Sequence, residues 1–130
     1  MPNPQSELVL LVEDDASMNQ ALKRIFRLSG VNCVAYETAE ALLGEELANS
    51  AACLVLDVQL PGMTGFELWD QLTLRGVKAP VIFITAFDEP DARARAQQAG
   101  GGFLVKPFAG RALVNAVRRV LEPQPLAPAP

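Results

Sequence analysis

Five apolar runs of strand length, Leu8 to Val12, Val31 to Tyr36, Cys53 to Val58, Val81 to Thr85 and Phe103 to Val105, recur along the chain, each followed by a helix-like segment. This repeat limits the fold more than any other feature. A short apolar run that does not alternate with polar residues must be covered on both faces, and a helix between runs brings the chain back so that the next strand lies parallel. Three of the five runs are essentially apolar throughout, which predicts an α/β domain with a parallel sheet between two helical layers. The intervening segments agree. Met18, Leu22 and Ile25 fall at i, i+4 and i+7, and Leu113, Val117, Val120 and Leu121 make an equivalent stripe that leaves Arg111, Arg118 and Arg119 outside it. Boundary residues are in place: Asp15 or Asp14 as the first N-cap, Gly30 after that helix, Thr38 as the second N-cap and Gly76 closing the third helix.

Half of the 130 residues are hydrophobic and 20% are charged, enough apolar mass for one self-sufficient core. The reading divides the chain into an N-terminal extension (1–6), the folded domain (7–121) and a Pro/Ala-rich linker (122–130), "EPQPLAPAP", that leads toward a further domain. A net charge of -4 without a long basic run excludes a nucleic-acid surface on the domain itself. No apolar run reaches the roughly 18 residues of a membrane span, and "MPNPQSE" lacks a signal-peptide pattern. Cys33 and Cys53 lie in apolar runs without metal-ligand spacing, as buried thiols of a reducing, cytoplasmic compartment.

The chemistry concentrates where strands end. The stretch "VLLVEDDAS" runs an apolar strand into Glu13, Asp14 and Asp15, carboxylates that repel one another. In a parallel α/β sheet ligands collect outside the carboxyl ends of the strands. There the first strand presents the acids, the third Asp57, the fourth Thr85 and the fifth Lys106. Singly, each has an ordinary explanation: helix caps, a turn former before "QLPGMTG", a strand-forming threonine and a surface lysine. Jointly they make a hard-cation site beside an anion site. The fitting chemistry is Mg²⁺-assisted phosphoryl transfer to a carboxylate. Asp14 and Asp57 would ligate the metal directly and Glu13 through a water, with Mn²⁺ as a substitute, while Lys106 and Thr85 would hold phosphoryl oxygens.

With "LVEDD", "LVLDVQLPGMTGFEL", "VIFITA" and "FLVKPF" in this order, residues 7 to 121 closely resemble the receiver domain of bacterial two-component response regulators. The resemblance implies a flavodoxin-like sheet of order 2-1-3-4-5, with Asp57 as acceptor of a phosphoryl group from a sensor histidine kinase. It implies that the backbone carbonyl of Gln59 is a further metal ligand, that Thr85 and Phe103 form a switch pair, and that Gln59 and Phe87 tune dephosphorylation. It also implies a cis bond between Lys106 and Pro107. The domain would be no enzyme toward other substrates, promoting only phosphorylation and dephosphorylation of its own Asp57. "TAFDEPDARARAQQAG" and "LVLDVQLPGMTG" resemble the branch that precedes a LuxR-type helix-turn-helix domain, so DNA would be reached only through an output domain that this chain lacks. A phosphorylation-dependent homodimer is expected on the face of the fourth helix, fifth strand and fifth helix, through Arg93, Arg95, Arg111, Arg118 and Arg119 with Asp88, Glu89 and Asp91.

Two features depart from the family pattern. "AGGGFLVKPF" is one residue short before Lys106 and lacks an Asp before the aromatic, which leaves the start of the fifth strand open, and Leu60 stands where Met is common. Two other functions are weighed against the receiver. A phosphatase of the haloacid-dehalogenase type shares the residue types but puts its nucleophile on the first strand, whereas here the acid pair comes first. A receiver-like binding module that signals without phosphorylation would lack a site residue, and none is missing.

Overall fold

The computed structural model describes residues 7–122. The expected N-terminal extension and nearly all of the Pro/Ala-rich linker lie outside the described residues. Strands β1 (Leu8–Val12), β2 (Asn32–Tyr36), β3 (Ala51–Asp57), β4 (Val81–Thr85) and β5 (Gly100–Val105) alternate with helices α1 (Ala16–Leu28), α2 (Ala39–Leu43), α3 (Gly65–Leu74), α4 (Pro90–Gln98) and α5 (Gly110–Leu121). All neighbouring strands pair parallel, in the order β2-β1-β3-β4-β5.

Successive strand residues face opposite sides of the sheet. Leu10, Val12, Leu54, Leu56 and Phe83 point into a core closed by Leu42 of α2, Leu68 and Leu72 of α3 and Ala96 of α4. Val9, Leu11, Val55, Ile82 and Ile84 point the other way, against Leu22 and Phe26 of α1 and Leu113, Val114 and Val117 of α5. Two buried faces explain the unbroken apolar runs. The expected boundary residues act: Asp15 caps α1 by accepting from the Met18 N–H, Thr38 caps α2 by accepting from Ala41, and Gly30 and Gly76 take positive φ just past α1 and α3. Thr64 and Glu67 add a reciprocal capping box at α3.

β5 corrects the sequence reading. It begins at Gly100 rather than Phe103, so the glycines belong to the strand and not to a loop before it. Val81 pairs with Gly100 and Ile82 with Gly102, leaving Gly101 as the extra residue of a bulge. Gly100 and Gly102 have φ of +79° and +144°, and a Cβ on Gly101 would collide with the Val81 carbonyl. Beyond the bulge the ladder is regular, with Val105 paired with Thr85, one position before Lys106.

Gly101→Ala is expected to lower stability in urea unfolding by about 1–3 kcal/mol, because neither backbone can yield without breaking the ladder. Gly44→Ala, where a Cβ meets only ordinary contacts and φ is -76°, should change it by less than about 1 kcal/mol.

Candidate functional site

The acidic triplet after β1 is divided among three tasks. Asp15 turns its carboxylate to the Met18 N–H at 2.9 Å and serves α1. Glu13 is fully buried, and its Oε2 accepts from the Asp15 N–H at 3.1 Å. Asp14 stays exposed. Asn19, not singled out from the sequence, fixes this corner: its Nδ2 donates to the carbonyls of Glu13 and Tyr36, each at 3.0 Å, joining the ends of β1 and β2 to α1. The signal for it was legible, since Asn19 shares the buried side of α1 with Leu22 and Phe26 and a buried amide must find partners.

Asp57 ends β3 with 1% exposure. Its Oδ1 accepts from the Gln59 N–H at 3.0 Å and its Oδ2 from Lys106 Nζ at 3.1 Å. Lys106 also lies 2.7 Å from Glu13 Oε1, off the direction of a hydrogen bond, so that contact is ionic and leaves this buried oxygen without a directional donor. The lysine is positioned by its backbone: its N–H donates to the Thr85 carbonyl at 2.7 Å, and the bond to Pro107 is cis. Burial above all, then the neighbouring Glu13 carboxylate, pushes the Asp57 carboxyl up to about 7, against the opposing pull of the Gln59 N–H and Lys106. Burial works against the charge on Lys106, but the carboxylates of Glu13 and Asp57 outweigh it and hold the ammonium above its ordinary range.

Thr85 is 1% exposed at the end of β4, and its hydroxyl meets Gln59 rather than Asp57. Thr85 Oγ1 lies 2.7 Å from Gln59 Nε2 and 2.9 Å from Oε1, while the Phe87 N–H donates to it at 3.1 Å. Phe87 reaches this group through its backbone, and the residue is 59% exposed. Phe103 is half-buried against the α2–α4 side of the core, paired with Phe83 in the ladder and covered by the Arg93 guanidinium at 5.1 Å. Cys33 and Cys53 are free thiols that burial pushes up to about 12, which keeps them protonated.

One carboxylate oxygen from each of Glu13, Asp14 and Asp57 lies within 4.8 Å of the others. Such an all-oxygen donor set suits a hard divalent cation, and the Glu13 oxygen without a directional donor has lone-pair density left to offer a water or ion. The residues therefore fit a metal of the Mg²⁺ kind. Among the described residues no helix is long and apolar enough to cross a membrane.

Residues 9–118 match the response regulator receiver domain family. The chain is 38% identical over 111 residues to nodulation protein W of Bradyrhizobium diazoefficiens, covering 85% of this chain and 49% of that protein. It is 35% identical over 115 residues to the C4-dicarboxylate transport transcriptional regulatory protein DctD of Pseudomonas aeruginosa, covering 88% of this chain and 25% of that one. The solved structure of the response regulator StyR superposes with a TM-score of 0.80 at 36% identity, over 88% of this chain and 59% of that one. The chain thus spans about half or a quarter of the length of these curated relatives. It belongs to the response regulator receiver domains and is a phosphorylation-dependent signal receiver.

The raised Asp57 pKa has a measurable consequence without metal. The fold binds the Asp57 proton more tightly than the unfolded chain does, so this contribution to stability is full at low pH and is lost as pH rises through about 7. The melting temperature of metal-free wild type should fall relative to Asp57→Asn between pH 5 and 8. A constant difference across that range would show that Asp57 ionises in the ordinary carboxylate range.

Proposed function

We propose that Asp57 accepts a phosphoryl group from the phosphohistidine of a sensor histidine kinase. The observation that carries this reading is that Asp57 is a buried strand-end carboxylate with a lysine ammonium on one oxygen and a backbone N–H on the other. Its free oxygen lone pair forms the new P–O bond as the P–N bond breaks, and the electron pair returns to the histidine nitrogen. Asp14, Asp57 and the Gln59 carbonyl would hold Mg²⁺, or Mn²⁺ in its place, with Glu13 acting through a water. Bound there, the cation offsets the charge that would otherwise keep phosphoryl donor and carboxylate apart. Lys106 is held beside Asp57 and supplies a point charge to a phosphoryl oxygen, and the Thr85 hydroxyl supplies a hydrogen bond.

Switching runs through Thr85 and Phe103: the hydroxyl moves to the phosphoryl group and the ring turns inward. The bond from the Lys106 N–H to the Thr85 carbonyl, and the pairing of Phe103 with Phe83, tie both residues to the β4–β5 ladder. A homodimer on the α4–β5–α5 face would use fewer charges than the sequence suggested. Arg93 is paired with Asp88, Arg95 with Asp70, and Arg118 donates to the Ser29 carbonyl at 2.8 Å. Arg111, Arg119, Glu89 and Asp91 remain for contacts between copies. The domain acts in the cytoplasm, and residues 122–130 lead to an output domain. We assign that output to the LuxR helix-turn-helix type from the "TAFDEPDARARAQQAG" resemblance alone, since the matching relatives differ twofold in length.

With Mg²⁺ and acetyl phosphate, intact-mass measurement should find one phosphoryl adduct on wild type and none on Asp57→Asn or in excess chelator. Full labelling of Asp57→Asn, or labelling at an unchanged rate without divalent metal, would remove this reading. On this reading Gln59 and Phe87, two residues past Asp57 and Thr85, flank the approach of hydrolytic water, and an aromatic ring excludes water without orienting it. Phe87→Glu should therefore shorten the phosphorylated lifetime about tenfold, or ~1.4 kcal/mol of barrier. Phosphate release that is equal or slower in Phe87→Glu would take Phe87 out of the mechanism.

A further inference from the structure

The Gln59 side chain is built into the site more firmly than a role in admitting water requires. It leaves the end of β3 two residues after Asp57 and crosses to the end of β4, where its Oε1 accepts from the Ala86 N–H at 3.0 Å and lies 2.9 Å from the Thr85 hydroxyl. An amide N–H can only donate, so Ala86 requires the carboxamide oxygen, not its nitrogen, at this point. The residue's own backbone N–H meanwhile holds Asp57 Oδ1 at 3.0 Å. The carboxamide thus takes the Ala86 N–H on its oxygen and holds the Thr85 hydroxyl against it, 2.9 Å from Oε1 and 2.7 Å from Nε2, beside the buried carboxylate.

A phosphoryl group on Asp57 carries three terminal oxygens that need donors or cations. Lys106 stands ready for one, and a cation held by the acidic cluster would take another. The donors left at the rim of the site are the Thr85 hydroxyl and the Ala86 N–H, and both are engaged by Gln59. We propose that the Gln59 carboxamide is an internal competitor of the phosphoryl group: its oxygen occupies an anion position at the end of β4 and must rotate out before a phosphoryl oxygen can enter. Gln59 is then a positioning residue that keeps the Thr85 hydroxyl engaged in the resting state and raises the threshold for activation. A charged phosphoryl oxygen takes the stronger hydrogen bonds and displaces the neutral amide. The competition therefore weakens anion binding without preventing it.

This inference rests on the phosphoacceptor reading, and a stable phosphoryl mimic tests the two separately. Beryllofluoride is titrated by fluorine NMR at saturating Mg²⁺ into wild type, Gln59→Ala, Gln59→Met, and the same variants with Thr85→Val. Releasing two neutral hydrogen bonds should tighten beryllofluoride binding about tenfold in both Gln59→Ala and the volume-matched Gln59→Met. In the Thr85→Val background only the Ala86 N–H is left to release, so the gain should shrink to about threefold. A merely structural glutamine would alter the melting temperature but give no gain. Unchanged or weaker binding in both Gln59 variants, a gain in Gln59→Ala alone, or an undiminished gain with Thr85→Val would overturn the competition while leaving Asp57 as acceptor. No binding to wild type would overturn both.

Discussion

Lys106 between Glu13 and Asp57 is the contact on which the site depends. Two carboxylates at 0% and 1% exposure cannot both be charged side by side in a protein interior unless a cation lies within reach. The ammonium, 2.7 Å from one and 3.1 Å from the other, supplies one positive charge for two negative ones. Burial above all, with this deficit added to it, lifts the Asp57 pKa to about 7, and the deficit makes the cluster receptive to a divalent cation. Proton retention on Asp57 and metal binding are thus two responses to the same shortage of positive charge.

Every element serves to place those three groups. The parallel order β2-β1-β3-β4-β5 puts β1 beside β3 and β5 outside β4, so that the acids, Asp57, Thr85 and Lys106 emerge along one edge. Asn19 holds the turn after β1, and the bond from the Lys106 N–H to the Thr85 carbonyl holds the turn after β5. Gly65 allows α3 to start against the backbone of Asp57, where any side chain would strike the Asp57 carbonyl. Beyond the glycine bulge at the start of β5 the ladder keeps Val105 opposite Thr85, which sets the lysine one position past the end of β4. Phosphoryl transfer to a carboxylate needs little covalent help and a well-placed set of charges, which this edge provides.

Much of this was legible in the sequence because it follows from one-dimensional rules. Unbroken apolar runs report burial on two faces, Asp15, Thr38 and Gly76 report helix ends, and residues following apolar runs report the functional edge. The omissions have a common cause. The strand character of Gly100–Gly102 comes from pairing with Val81 and Ile82, which outweighs the low strand preference of glycine. Asp15 caps α1 through the nearby Met18 N–H, but the pairing of Glu13 with Lys106 is set by a partner distant in sequence. The same holds for the Gln59 carboxamide, whose partners lie 26 and 27 residues away, and for Arg95 and Arg118, which meet Asp70 and the Ser29 carbonyl 25 and 89 residues away. Side-chain destinations, unlike element types, are decided by tertiary structure.

On the proposed mechanism the signal is written on the buried carboxylate opposite Lys106. Reduction of the acyl phosphate with borohydride after brief exposure to Mg²⁺ and acetyl phosphate converts the modified aspartate to homoserine, and peptide mass mapping then locates it. Homoserine at position 57 is the expected principal product. Homoserine chiefly at position 14 or 15, with Asp57 intact, would contradict it.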